Sequence, residues 1–132
     1  RITSAMRYKE DIQEVPLESG YAERILQLKP KSWFDKTEIS ENGGSTFGLD
    51  RRYGLIAEDV VAAGLSEYAI FTPPDENGNR EVDGIAYDRL WTLLIPIVKD
   101  HDDEIRILKE QNQNLILKVA NLEARIAQLE VA

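Results

Sequence analysis

The sequence predicts an α+β fold: a small mixed head of short strands and helices, followed by a long C-terminal helix forming a parallel trimeric coiled coil. Three observations lead there. From Leu94 onward a stripe returns every third and fourth position, through Val98, His101, Ile105, Leu108, Asn112, Leu115, Val119, Leu122, Ile126 and Leu129. Ahead of it lie short apolar runs punctuated by Gly, Pro and Asn. The chain of 132 residues has room for one modest core plus the helix. The expected organisation is an N-terminal segment 1–18, a head 19–93 with a mobile loop or arm at 40–51, and the coiled-coil helix 94–132.

Taken in order, residues 1–18 are polar and charged up to Val15-Pro16. Tyr21 to Leu28 reads as a short helix with Ala22, Ile25 and Leu26 on one side, stopped by Lys29-Pro30 because a residue before proline avoids the α region. Lys31 to Lys36, with Trp33 and Phe34, reads as a strand. Ser40 to Thr46 is a loop by composition. Tyr53 to Ala57 is a short apolar run predicted to be a buried strand. Glu58 to Ala63 is a helix ended by Gly64. Strands at Tyr68–Thr72 and Arg80–Tyr87 flank a turn from Pro73 to Asn79, with Asn77-Gly78 suited to a hairpin. Asp88 is the expected N-cap of a helix through Arg89, Leu90 and Trp91. Pro96 either kinks the helix that follows or sits in its first turn. That helix should run roughly 35 residues, about 50 Å.

In the heptad, Val or Ile fills most a positions and Leu most d positions. Glu104, Gln111, Lys118 and Arg125 are g residues; Lys109, Ile116, Glu123 and Glu130 are e residues. A parallel neighbour pairs Glu104 with Lys109, Lys118 with Glu123 and Arg125 with Glu130, all attractive. Each exposed pair contributes roughly 0.2–1 kcal/mol, so the pairs select register and orientation more than they stabilise. Arg125, Ile126, Leu129 and Glu130 follow the Arg-h-x-x-h-Glu pattern of short parallel trimers, whereas β-branched a with Leu d leans by itself towards two strands. Asn112 at an a position fixes register at some cost in stability. The expected trimerisation residues are Ile105, Leu108, Asn112, Leu115, Val119, Leu122, Arg125, Ile126, Leu129 and Glu130.

Sixteen Lys and Arg stand against 24 Asp and Glu, a net charge of −8. Such a surface repels nucleic acid and anionic membrane, so neither is expected as a partner. No apolar run approaches the ~18 residues that span a bilayer, and no signal peptide is visible. The first residue is Arg, so a fragment or processed piece of a longer protein is expected. With no cysteine and one histidine, disulfides, thiol chemistry and a zinc site are disfavoured, and no cofactor is expected. His101 falls at a d position and reads as a core polar residue meeting its symmetry mates, with a three-His ion site on the axis as the alternative. Asn42-Gly43-Gly44 lacks the Lys and the helix context of a phosphate loop. Glu58-Asp59 and Asp102-Asp103 read as solvated faces or helix-start charges.

Chemistry has one place to sit. A Ser hydroxyl is activated by a neutral Lys amine where burial lowers the proton affinity of the amine. Ser4 and Lys9 offer that pair, although a spacing of five does not put two side chains on one helix face. By themselves they read as a capping Ser and a surface Lys.

The ordered set of motifs resembles the C-terminal intramolecular chaperone auto-processing domain of phage tailspikes, endosialidases and neck appendage proteins. That family opens with Ser-Asp-x-Arg-x-Lys-x-x-Ile, and Ser4, Arg7, Lys9 and Ile12 match it. Leu28-Lys29-Pro30 with Trp33-Phe34 is similar to its Leu-x-Pro and aromatic segment, and Gly54-Leu55-Ile56-Ala57-Glu58-Asp59-Val60 to its Gly-hydrophobic-Ile-Ala run. Tyr87 with Leu90, just before the long helix, and the terminal coiled coil continue the likeness.

The resemblance implies a homotrimer that registers an upstream fibre or β-helical stalk of the same polypeptide in the host cytoplasm, then cuts itself off and is absent from the mature virion. It implies Ser4 as nucleophile, Lys9 as general base and Arg7 as an orienting or charge-stabilising group, with the cut among Thr3, Ser4 and Ala5, most simply at Thr3–Ser4. Ala5 departs from the family, which usually has Asp there. With Arg1-Ile2-Thr3 still attached, this reads as an uncleaved, cleavage-impaired form and leaves open which side of Ser4 is cut. The alternatives are a non-catalytic trimerisation and partner-binding module, and more weakly a dimeric cytoplasmic adaptor. The loop from Ser40 to Arg51, with Phe47 and Leu49 to bury, reads either as an arm onto the upstream fibre or as a disordered surface loop.

Overall fold

Two antiparallel strand pairs, the first connected through a short helix and the second through a turn, organise the head in the computed structural model, which describes residues 4–131. The chain divides into two compact units between Leu94 and Ile95. In the first unit, β1 (Lys31–Trp33) pairs with β2 (Arg52–Gly54), setting Lys31 opposite Gly54 and Trp33 opposite Arg52. Between them runs α1 (Lys36–Glu41). Two residues of the predicted strand, Asp35 and Lys36, instead begin this helix. The Asp35 side chain accepts from the amides of Thr37 and Glu38, satisfying two of the donors that a helix start leaves open. The loop predicted from Ser40 therefore begins two residues later. The predicted burial of Tyr53–Ala57 also fails: a two-stranded sheet has one covered face at most, and Tyr53 is 79% exposed.

After β2 comes α2 (Ala57–Ala62), with Glu58 and Asp59 in the first turn, where negative charge suits the helix dipole. Its end is a Schellman motif. Gly64 takes φ +79°, its amide donates to the Val61 carbonyl, and the Leu65 amide donates to the Val60 carbonyl. A β3–β4 pair follows, β3 being Ala69–Phe71 and β4 Val82–Ile85, with an irregularity at Ile70/Phe71. Asp75 organises the connecting turn by accepting from the amides of Asn77 and Asn79. The strands are shorter than predicted: Tyr68 ends a 3-10 turn, Arg80 and Glu81 belong to the connection, and Ala86 and Tyr87 cap and begin the next helix.

α3 (Tyr87–Leu90) starts after Ala86, not at Asp88, which lies in its first turn and accepts no cap hydrogen bond. The predicted helix at Tyr21–Leu28 is a 3-10 stretch over Ala22–Gln27. It contributes Ala22 to the head core, with Val60 from α2, Leu65 after it, Ala86 and Leu90 around α3, and Leu93 beyond. Val60 and Leu65 are fully enclosed.

The second unit is one helix. α4 runs Leu94–Val131, 38 residues, about 57 Å at 1.5 Å per residue. Pro96 is its third residue, where no helical hydrogen bond is lost. Along α4, Arg106 pairs with Asp102 at 3.7 Å and with Asp103, one turn back on the same face.

Candidate functional site

Local backbone brings Ser4 and Lys9 together. Ala5 is extended, Met6–Tyr8 make a single 3-10 turn, and Lys9 is extended again. The turn is closed by the Tyr8 amide donating to the Ala5 carbonyl and the Lys9 amide donating to the Met6 carbonyl. Reversing the chain over three residues lets a spacing of five converge where a continuous helix would not. Lys9 Nζ donates to the Ser4 carbonyl oxygen at 2.5 Å and lies 3.2 Å from Ser4 Oγ. A hydroxyl and an amine at that distance can exchange a proton, provided the amine is neutral. Both residues are exposed in the single chain.

Arg7 is not part of this pair. Its guanidinium lies over the Tyr8 ring at 4.6 Å and donates to the Tyr8 hydroxyl at 3.0 Å. Ala5 heads the turn with only a methyl group to offer. Thr3 lies outside the described residues. Asp11 takes φ +51°, tolerated by its short polar side chain, and its carboxylate accepts from Gln13. Met6, Tyr8, Ile12 and Val15, in the same N-terminal stretch, are all exposed.

The turn after α1 is tied at its base. Arg52 grips Glu38 at 2.6 Å, and Arg51 donates to Ser32 Oγ at 2.9 Å and the Ser32 carbonyl at 3.1 Å while lying over Phe34. Inside it, the Asn42 side chain donates to the Ser45 and Phe47 carbonyls. Phe47 stands 89% exposed at this turn. The pairing of Glu38 with Arg52 was invisible in sequence order alone, because nothing local marks a contact across fourteen residues.

On α4, the predicted seam residues present one continuous apolar stripe to solvent. Exposure runs from 51% at Ile105 to 77% at Leu129. Asn112 sits within the stripe, and Arg125 and Glu130 flank its far end. A shallow hollow of about 230 Å³ lies elsewhere, between Lys31, Asp59 and their neighbours, with the Lys31–Asp59 ion pair at 2.7 Å across it. It contains neither Ser4 nor Lys9.

The described residues thus form a Ser/Lys turn, a small α+β head and a long amphipathic helix, in that order along the chain. The chain matches the family model described as chaperone of endosialidase over residues 4–69, half of its length, and it belongs to that family. The match begins at Ser4 and ends at Ala69, so β4, α3 and α4 lie beyond it. No curated protein matches the chain.

Proposed function

We propose that this domain is an intramolecular chaperone that trimerises through α4, aligns three upstream chains of a phage fibre or tailspike, and in the parent protein releases itself by Ser/Lys autoproteolysis beside Ser4. The observation that carries this reading is the 3.2 Å approach of Lys9 Nζ to Ser4 Oγ at the first residue of the family match.

Assembly follows from α4. Burying a large apolar side chain is worth roughly 1.5–3 kcal/mol, and the whole seam is exposed in one chain. The apolar e residue Ile116 broadens the stripe beyond a and d, as suits a bundle of more than two helices. Registering three long chains carries a large ordering cost, which a self-associating tag makes effectively intramolecular. Once the tag is gone, the fibre cannot re-register after unfolding and is kinetically stable. Assembly would take place in the host cytoplasm, and the released domain would be absent from the virion.

For cleavage, Ser4 Oγ attacks the Thr3 carbonyl carbon while the Lys9 amine takes the hydroxyl proton. The resulting five-membered adduct breaks its C–N bond, and the proton passes from Lys9 to the departing Ser4 nitrogen. Water hydrolyses the ester, leaving a carboxylate on Thr3 and a free hydroxyl and amine on Ser4. The Lys9 hydrogen bond to the Ser4 carbonyl anchors the amine beside Oγ. Desolvation of that amine has to come from neighbouring copies, for which Met6, Ile12 and Val15 supply apolar surface. Arg7 would have to leave Tyr8 to serve as a charge-stabilising group.

Ala5 favours a second reading for this chain: a trimerisation and partner-binding module that assembles without efficient cleavage. The assembly claim, common to both readings, is tested by fusing a fibre segment ahead of the chain with and without Leu115→Asp. Light scattering should give an assembled trimer for the parent and dispersed chains for the variant. Equal assembly of both would overturn it.

A further inference from the structure

His101 is the one histidine of the chain and stands on the α4 seam between Val98 and Ile105. Its side chain is exposed, and among the described residues none hydrogen-bonds to it. The charged residues closest to it in sequence are mostly acidic, Asp100, Asp102, Asp103 and Glu104, with Lys99 the one basic exception. Arg106, one turn further on, is drawn to Asp102 and Asp103. Among the described residues of one chain, no group of three or more His, Cys, Asp or Glu could hold a metal ion.

We propose that three copies of His101 form an axial site for a transition-metal dication of the zinc or nickel kind. This inference rests on the trimeric reading above. In a parallel trimer a d layer converges on the axis, so three imidazole nitrogens face a common point. Three imidazoles plus a water are an established tetrahedral zinc set, with bonds of about 2.0–2.1 Å. The remaining ring nitrogen of each His needs an acceptor to fix its tautomer, and Asp102 at e and Glu104 at g are carboxylates flanking that layer. The surrounding acidity favours a cation on the axis. Without one, three imidazoles in a hydrophobic seam are a costly layer, as a polar core residue is in general.

The test uses the full, tag-free chain, with its mass followed by light scattering in the same samples. Native mass spectrometry with Zn²⁺ and, separately, Ni²⁺ should show one ion per trimer, and the ion should raise the melting temperature relative to chelator. His101→Leu should lose both uptake and the metal-dependent shift while melting higher than the metal-free parent. A trimer that takes up no ion, or uptake retained by His101→Leu, overturns the site and leaves the trimer standing. A dimer or monomer overturns the trimeric reading and the site with it.

Discussion

The Tyr87 hydroxyl holds both main-chain polar groups of Leu55: it accepts from the Leu55 amide at 2.9 Å and donates to the Leu55 carbonyl at 3.2 Å. One side chain from α3 thereby satisfies the two backbone groups where β2 gives way to α2. The same hydroxyl explains Gly54. A Cβ there would come within 2.7 Å of the Tyr87 oxygen and 3.1 Å of the Trp33 ring.

Tyr87→Phe should therefore cost about 1–2 kcal/mol, because it leaves both Leu55 groups without their partner. Gly54→Ala should cost about 1–3 kcal/mol through overpacking. Placing Gly54→Ala in the Tyr87→Phe background should cost less than in the parent, since part of the clash is gone. Denaturant unfolding of the four proteins measures the coupling, and strictly additive costs would contradict the latch.

A pH dependence follows from Tyr21, whose hydroxyl donates to Glu67 Oε2 at 2.6 Å. That bond holds the Glu67 carboxyl below its usual range, while burial, reinforced by Glu67, pushes the Tyr21 phenol up. A depressed carboxylate contributes stability above its ordinary value of ~4.3, and the contribution is lost as pH falls through the folded value. A raised phenol contributes below its ordinary value of ~10, and that contribution is lost as pH rises through the folded value. Tyr21→Phe should be less stable than the parent at neutral pH, with the gap closing towards both extremes. Urea midpoints across the pH range check this; a gap independent of pH would contradict it.

Asn112 supplies a test of the seam. Asn112→Ile should raise the melting temperature of the oligomer and broaden its distribution of masses, because the polar a layer that specifies register is lost. A thermal melt reads the first and sedimentation velocity the second, and a variant with lower stability would place Asn112 outside the interface.

Much of this molecule was legible in its sequence where the signal is local. The 3.6-residue stripe predicted α4, Gly64 marked the end of α2, and Pro73 to Asn79 marked the turn between β3 and β4. α1 was missed because Ser40 and the glycines after it masked a helix whose start was written in Asp35 and Glu38, a capping pattern spaced three apart. Tyr53 was misjudged because an apolar run looks alike in a covered sheet and in a bare strand pair. The Ser4–Lys9 approach could not be read from spacing, since it depends on one 3-10 turn between two extended residues. The Tyr87 latch was visible only as a tyrosine in a familiar place; its partner stands thirty-two residues away.

Autoproteolysis beside Ser4 with Lys9 as base, restrained here by Ala5, is the part of the proposed function most directly open to test. The measurement is the intact mass of oligomeric Ala5→Asp protein, beside Ala5→Asp carrying Ser4→Ala or Lys9→Met. Loss of the residues ahead of Ser4 in Ala5→Asp alone is the predicted result. An unchanged mass in all three, or a cut that survives Ser4→Ala, would contradict the account.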